Sequence, residues 1–492
     1  MYDVIIGMET HVEQNTASKM FCQCSADFFG AEPNTHVCPT CLAMPGALPV
    51  INQRAVENCI MVGLALNCQI AQHTFWERKS YWYPDLPKGY QISQYQFPIA
   101  YEGYLDVDVR DTSTGGWTEA SYRKRIRIRR AHLEEDTGKL THVGGSSFVD
   151  FNRCGVPLIE IVTEPDIHSA DEAYAFLNAL RDIVRYLGIS SGDMEKGAMR
   201  CEPNMSLRLT GTEPFGTKVE IKNLNSLRAV RDSIAYEVKR QTALLNEGGK
   251  VRQVTLGWDD VRGQTVLQRD KEEAHDYRYF PEPDLPPLDI SAEWLAQIRA
   301  RMPELPVVMQ DRFVQSYGLS SYDAMVLTKD RATAEYFEQV VQHSGPRLAK
   351  AASNYVTGEL FRLMSAAGVD DISAVRVAPD QLAALMQLVD QQTINNNTAR
   401  AVLEEMFASG QGAQAIVQAR GLAQISDTSA LEAAVQAALA SNAAQVQAYL
   451  SGQEKLFQFF VGQVMKATKG KGNPQLVQAL MKAALDAKRG EN

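Results

Sequence analysis

Four prolines fall within the eight residues "PEPDLPPL", 281–288. Proline lacks a backbone N–H and pushes its predecessor out of helical geometry, so neither a helix nor a central strand runs through such a stretch. The chain must change character there. Before it, strand-like and helix-like segments are mixed. After Pro287 the sequence is rich in Ala, Gln and Leu and helically periodic almost to its end. A second break, "FASGQGAQ" at 407–414, sets small flexible residues between two helical stretches. The two breaks divide the 492 residues into three expected domains, 1–291, 292–408 and 409–492.

Within the first of these, "YDVIIGMETHV" (2–12) is a short apolar run rich in β-branched residues, which predicts a buried strand. In "RKRIRIRR" (123–130) Arg125, Arg127 and Arg129 alternate with Ile126 and Ile128, the period of a half-buried strand. "SADEAYAFLNALRDIVRYLG" opens on Ser169 and Glu172, a capping-box pair, and Phe176, Leu180, Ile183 and Leu187 then recur at helical spacing up to Gly188. There is no internal repeat and no Gly-rich phosphate loop in a βαβ setting.

No stretch approaches the ~20 apolar residues that a membrane helix needs. The N-terminus lacks the pattern of a signal peptide. A cytoplasmic protein is expected, with no membrane partner. The formal net charge of −10 argues against a nucleic-acid partner for the chain as a whole. Residues 453–492, however, hold seven Lys/Arg against three acids, a basic tail suited to an anionic partner or simply a solvated helical face.

Four of the eight cysteines, Cys22, Cys24, Cys38 and Cys41, lie within twenty residues as C-x-C and C-x-x-C. In a reducing compartment that spacing favours structural Zn²⁺ over disulfides. A full set of four sulfur ligands leaves no open position for catalysis, which argues against a zinc-dependent hydrolase. His36, inside the loop, is an unneeded alternative ligand. The plainer reading is four reduced thiols.

Glu9 and His11 are two apart on a strand and share a face. An ionisable pair in an apolar run needs a partner or a task, because unpaired burial costs several kcal/mol. "AHLEEDTGK" adds His132, Glu134, Glu135 and Asp136. Carboxylates and histidine from two segments make a candidate Mg²⁺ site, against the plainer reading of a solvated turn. "YWYPDLPKGYQISQYQFPI" (81–99) reads as a surface loop or as a pocket wall, with Lys79 and Lys88 facing an anion. "MRCEPNMSLR" and "VEIKNLNSLR" alternate acids, amides and bases, as a phosphate-binding or merely exposed strand face would.

At these residues the chain resembles the B subunits of glutamyl/aspartyl-tRNA amidotransferases. The matching stretches include "IGMETHVEQNTASKMFC", "RKSYWYPDLPKGYQISQYQFPI", "RIRRAHLEEDTGK", "VDFNRCGVPLIEIVTEPDI", "MRCEPNMSLR", "FGTKVEIKNLNS" and "EEAHDYRYFPEPDLPPL", in family order over nearly the first 290 residues. The helical region matches more loosely. The resemblance implies an α+β fold: an antiparallel-sheet cradle with flanking helices, then an all-α helical domain and a helical tail domain that grips tRNA.

It also implies one part of an ATP-dependent enzyme. The side-chain carboxylate of Glu-tRNA(Gln) or Asp-tRNA(Asn) is phosphorylated and then amidated, with ammonia channelled from a partner, the amidase A subunit. A small C subunit joins the complex, and a non-discriminating synthetase supplies the charged tRNA. Glu9, His11 and Glu135 match the family's metal positions, with Glu134 a second candidate for Mg²⁺. Lys79 and Lys88 match the cradle end of the ammonia route. Arg125, Arg127 and Arg129 would screen the ATP phosphates or the tRNA 3′ end, and Glu202, Asn204, Glu220 and Asn223 would serve the same floor. Glu202 stands where the family usually has Asp, and Ser80 where Asn is commoner. The K-G-K-G turn of the tail, 469–472, would meet phosphate. The competing reading is a non-catalytic tRNA-binding subunit.

Overall fold

The computed structural model describes residues 1–110, 121–270, 276–423, 428–468 and 472–490. The chain forms two compact units, Met1–Leu305 and Pro306–Asn492.

The first unit is built on nine strands of one sheet. In chain order they are β1 (Tyr2–Glu13), β2 (Gln69–Ile70), β3 (Ala100–Val109), β4 (Tyr122–Glu135), β5 (Pro157–Thr163), β6 (Met199–Leu209), β7 (Val219–Lys222), β8 (Val254–Asp259) and β9 (Gln264–Asp270). Their spatial order is 9-8-7-6-1-5-4-3-2. Every pairing is antiparallel except β7 with β8. The α+β expectation holds.

Strand period sorts the residues of β1. Ile6, Met8, Thr10 and Val12 are buried on one face, while Gly7, Glu9, His11 and Glu13 alternate with them on the other. The apolar face is covered by α1 (Gln53–Ala65), α2 (Ala170–Tyr186) and α3 (Leu227–Asn246), which supply Ile60, Phe176, Leu180 and Ile234 to the core. Each helix starts on a side-chain cap. Asn52 accepts from the N–H groups of Arg54 and Ala55, Ser169 from Glu172, and Ser226 from Ala229. The expected capping box at Ser169 is half formed. The Glu172 carboxylate accepts from the His168 N–H at 2.7 Å and from the Tyr122 hydroxyl at 2.8 Å.

A bulge decides the faces of β4. Ile128 pairs with Thr163 and Arg130 with Val162, so Arg129 is an extra residue. Parity therefore switches at this point. Ile126, Ile128, Ala131 and Leu133 all enter the core, and His132 and Glu134 move to the opposite, polar face, where they are also buried.

The proline run does not close the unit. Phe280–Pro281 pairs with Glu77–Ser80, and Leu288–Asp289 pairs with His73–Thr74. The next helix, α4 (Ala292–Arg301), buries Ile298 in the same core. Trp294 Nε1 donates to Glu57 of α1 at 3.2 Å, and Arg301 bonds the same carboxylate at 2.8 Å. This helix thus belongs to the first compact unit, which runs to Leu305, because apolar contact decides which core a helix joins.

The second unit is helical from Pro306–Tyr317 to Pro474–Gly490. The helix Asn396–Ser409 stops at Gly410, whose φ of 75° is left-handed. Leu431, Val435, Phe460, Val464, Met481 and Leu485 share a separate core near the C-terminus. Lys469, Gly470 and Lys471 of the basic turn lie outside the described residues. No helix among the described residues is long and apolar enough to cross a membrane.

Candidate active site

Four strands carry one transverse row of ionisable residues. In register, Arg200 on β6 faces His11 on β1, His11 faces Glu160 on β5, and Glu160 faces His132 on β4. His11 Nε2 lies 3.6 Å from Glu160 Oε2 and 3.8 Å from Glu134 Oε2. His132 Nε2 lies 3.5 Å from both Glu134 Oε1 and Glu160 Oε2. Glu9 joins His11 and Glu160, and one donor atom from each of the three lies within 4.8 Å of the others. His132, Glu134 and Glu160 form a second such group around the same Glu160.

Charge is concentrated where water is scarce. Burial alone would lower His11, but the bond to Glu160 and the charges of Glu160 and Glu134 push it up to about 9. Burial and the neighbouring Glu160 charge raise Glu9 above the usual carboxylate range. Burial opposes ionisation of Glu134, yet Lys79, His132 and His11 hold it well below that range. Lys79 Nζ sits 3.6 Å from Glu134 Oε1. Ser93 Oγ and Gln91 Nε2 donate to the same carboxylate at 2.7 and 3.1 Å.

Glu135 goes elsewhere. Its carboxylate bonds the Ile92 N–H at 2.9 Å and pairs with Lys88 Nζ at 2.7 Å. Neighbours on a strand point to opposite faces, and the bulge puts Glu134, not Glu135, beside His11. Of the four residues expected to hold Mg²⁺, Glu9 and His11 group with Glu160, Glu134 groups with His132 and the same Glu160, and Glu135 pairs with Lys88. The only sequence signal for Glu160 is a lone acid in the apolar strand "PLIEIVT".

A GatB/GatE catalytic-domain model matches residues 4–296, and a GatB-domain model matches residues 335–485. The B subunit of the aspartyl/glutamyl-tRNA(Asn/Gln) amidotransferase of Caldicellulosiruptor saccharolyticus is 50% identical over 489 residues, covering 99% of each chain. That of Moorella thermoacetica is 50% identical over 488 residues, covering 98% of this chain and all of its own. The chain belongs to the amidotransferase B-subunit family.

The other residues that the family resemblance singled out are placed as follows. Glu202 faces Glu9 across β6 and β1, and Lys222 Nζ bonds it at 2.7 Å. Asn204 faces Glu220, which accepts from Thr255 Oγ1 at 2.9 Å. Asn223 is exposed at a left-handed φ of 58°, just past the end of β7. Asparagine tolerates that conformation better than most side chains do.

In this B-subunit family member the arginine row is not free positive charge. Arg125 makes two bonds of 2.8 Å to Asp106; Arg127 bonds Asp166 at 2.8 and 2.7 Å; Arg129 bonds Glu164 at 2.9 and 2.8 Å. All three line a cleft of about 990 Å³. There Arg130 lies 4.8 Å over the ring of Tyr95, which stacks on Tyr279 at 4.6 Å.

The four clustered cysteines converge, with their sulfurs within 4.8 Å of one another. Cys41 also accepts from the Cys38 N–H at 3.1 Å. The hydrogen bond from Cys22, assisted by that N–H and by Lys19, lowers Cys41 below the usual thiol range. Four convergent sulfurs fit a tetrahedral Zn²⁺ site. On the sheet face, Nδ1 of both His11 and His132 makes no hydrogen bond among the described residues. Buried carboxylates and imidazoles around one point fit a divalent cation.

Proposed function

We propose that the polar face of the sheet activates a carboxylate with ATP and that the adjoining chamber delivers ammonia to it. Family membership makes the chain a component of a tRNA-dependent amidotransferase, a carbon–nitrogen ligase. The carboxylates in question are the side chains of Glu on tRNA(Gln) and Asp on tRNA(Asn). The observation that carries this reading is the in-register row His11–Glu160–His132 with Glu134 and Lys79 against it.

A carboxylate is a poor electrophile, and transfer of a phosphoryl group to it needs positioning and charge neutralisation more than a protein nucleophile. Glu9, His11, Glu134 and Glu160 would hold Mg²⁺, which when bound supplies charge neutralisation for the phosphates. Lys79, kept protonated mainly by Glu134, adds a fixed positive charge. Lys222, between Glu202 and Glu220, adds a second at the neighbouring strands. The Tyr95–Tyr279 stack with Arg130 above it suits the unpaired 3′ end of a tRNA, whose bases stack on aromatic faces.

Glu135 and Lys88 face a separate small chamber. Glu135 accepts the proton of an arriving ammonium, and the free ammonia attacks the acyl phosphate with loss of phosphate. The amidase A subunit supplies the ammonia, a small C subunit joins the assembly, and the setting is the cytoplasm. Zn²⁺ on the four cysteines would have a structural role only.

The test is ATP turnover by the reconstituted complex, with Glu-tRNA(Gln) and Asp-tRNA(Asn) in parallel and the acyl phosphate trapped by hydroxylamine. Loss of trapped product on His11→Ala supports the reading. Trapping at the wild-type rate leaves only a tRNA-binding role.

A further inference from the structure

Lys19 has no part in the chemistry of the sheet face, yet its side chain is fully buried. Its Nζ donates to the carbonyl oxygens of His36 at 2.7 Å and Phe151 at 3.3 Å, and it reaches Cys41 Sγ at 3.8 Å. The two carbonyls satisfy donors but not the charge. A buried ammonium needs an anion beside it, and of these three contacts only the sulfur can carry one. The backbone of the same residue is tied to the other cysteine pair: the Lys19 N–H donates to the Cys24 carbonyl at 2.9 Å. One residue thus grips both halves of the C-x-C…C-x-x-C loop.

Lys19 also stands at a junction. Gly155 has a φ of +83°, and a Cβ built on it would lie 3.6 Å from Lys19 Cδ, 3.8 Å from Cys41 Cβ and 3.9 Å from Glu135 Oε2. The chamber of about 220 Å³ that holds the Lys88–Glu135 pair is walled by Lys19, Cys22, Cys41 and Gly155. The cysteine loop and the ammonium-facing acid therefore share a wall.

Four thiolates around a divalent metal leave a net charge of −2, and a cation at the rim of such a site offsets part of it. We propose that Lys19 is the outer-sphere counter-charge of the metal held by Cys22, Cys24, Cys38 and Cys41, and that metal binding and burial of Lys19 are one coupled event that closes this wall. The proposal rests on the reading of the four thiols as a metal site. Lys19 is a positioning residue, since it acts through the sulfurs.

The experiment uses the full chain and metal readouts. Wild type is titrated with Co²⁺, and zinc release to a chromogenic chelator is timed for wild type, Lys19→Met and Lys19→Gln. Uptake of one Co²⁺ with a thiolate-to-cobalt charge-transfer band secures the metal site; its absence overturns that site and the proposal together. With the site secured, both variants release zinc about 10–100-fold faster than wild type, matching the scale on which loss of an outer-shell partner weakens metal affinity. Release at the wild-type rate overturns the role of Lys19 alone. Wild-type release from Lys19→Gln but not Lys19→Met also overturns it, because glutamine restores donors without charge. If neither variant folds, amine acylation of wild type decides. Lys19 is protected with metal bound and labelled after chelation; equal protection in both states overturns the coupling.

Discussion

His11 and Glu160 face each other in register across antiparallel strands, with imidazole Nε2 and carboxylate Oε2 3.6 Å apart. Glu160 belongs to both candidate ligand groups, the one with Glu9 and the one with Glu134. It is therefore the residue whose loss disturbs most of the face at once.

Glu160→Gln keeps the shape of the side chain and removes its charge. The phosphorylation step of the reconstituted complex should fall by about 10²–10³-fold, the scale for losing one preorganised electrostatic group. Binding of tRNA should change little. ATP turnover within threefold of wild type would sink the assignment.

Lys79 and Glu134 form a largely buried pair, 3.6 Å apart. Removing one partner of such a pair costs about 3–5 kcal/mol, because the other charge is left uncompensated. Lys79→Met should therefore lower the urea midpoint clearly. The double variant Lys79→Met/Glu134→Gln should recover part of the loss. A double-mutant cycle with no coupling would contradict the pairing.

Glu13 carries a pH signature. Burial, with the nearby Asp136 charge, raises it to about 7. A folded-state pKa above the unfolded value means that the folded chain keeps a proton that the unfolded chain gives up. The stability from this group is full below the ordinary carboxylate range and is lost as pH rises through about 7. Glu13→Gln should hence match wild type near pH 4 and exceed it above pH 8. Partial exposure and the nearby Arg200 and Arg153 limit the gain to about 1–2 kcal/mol. Chemical denaturation at the two pH values reads the difference, and a gain of equal size at both would refute this origin.

If the four cysteines hold a metal as proposed, its chelation should unfold or loosen the first unit before it affects any chemical step. Cys38→Ser should lower the melting temperature and leave Mg²⁺-dependent ATP binding intact in whatever fraction remains folded. Normal stability with lost phosphorylation would instead make the cluster catalytic.

Some of the site was legible residue by residue. Glu9 and His11 share a face because side chains alternate along any strand, whatever that strand pairs with. The convergence of the cysteines followed from short spacings that one turn can bring together. The helix from Ala170 announced itself through Ser169 and its 3.6-residue apolar period.

Pairing is a different matter, because a strand's register is set by residues far away in the chain. Strict alternation from Arg125, Arg127 and Arg129 puts Glu135 on the polar face. One extra residue at Arg129, defined only by the partner strand β5, gives that place to Glu134. The same register delivers Glu160 to His11, although nothing in "PLIEIVT" distinguishes its acid from an ordinary ion-pair partner. The arginines read as free cations until Asp106, Glu164 and Asp166 arrived from other segments to neutralise them. Sequence by itself determined which residues alternate, where helices begin and which chemistry was available. Tertiary structure alone decided which of those groups meet, because non-local strand pairing, and not local period, puts side chains from different segments within bonding distance.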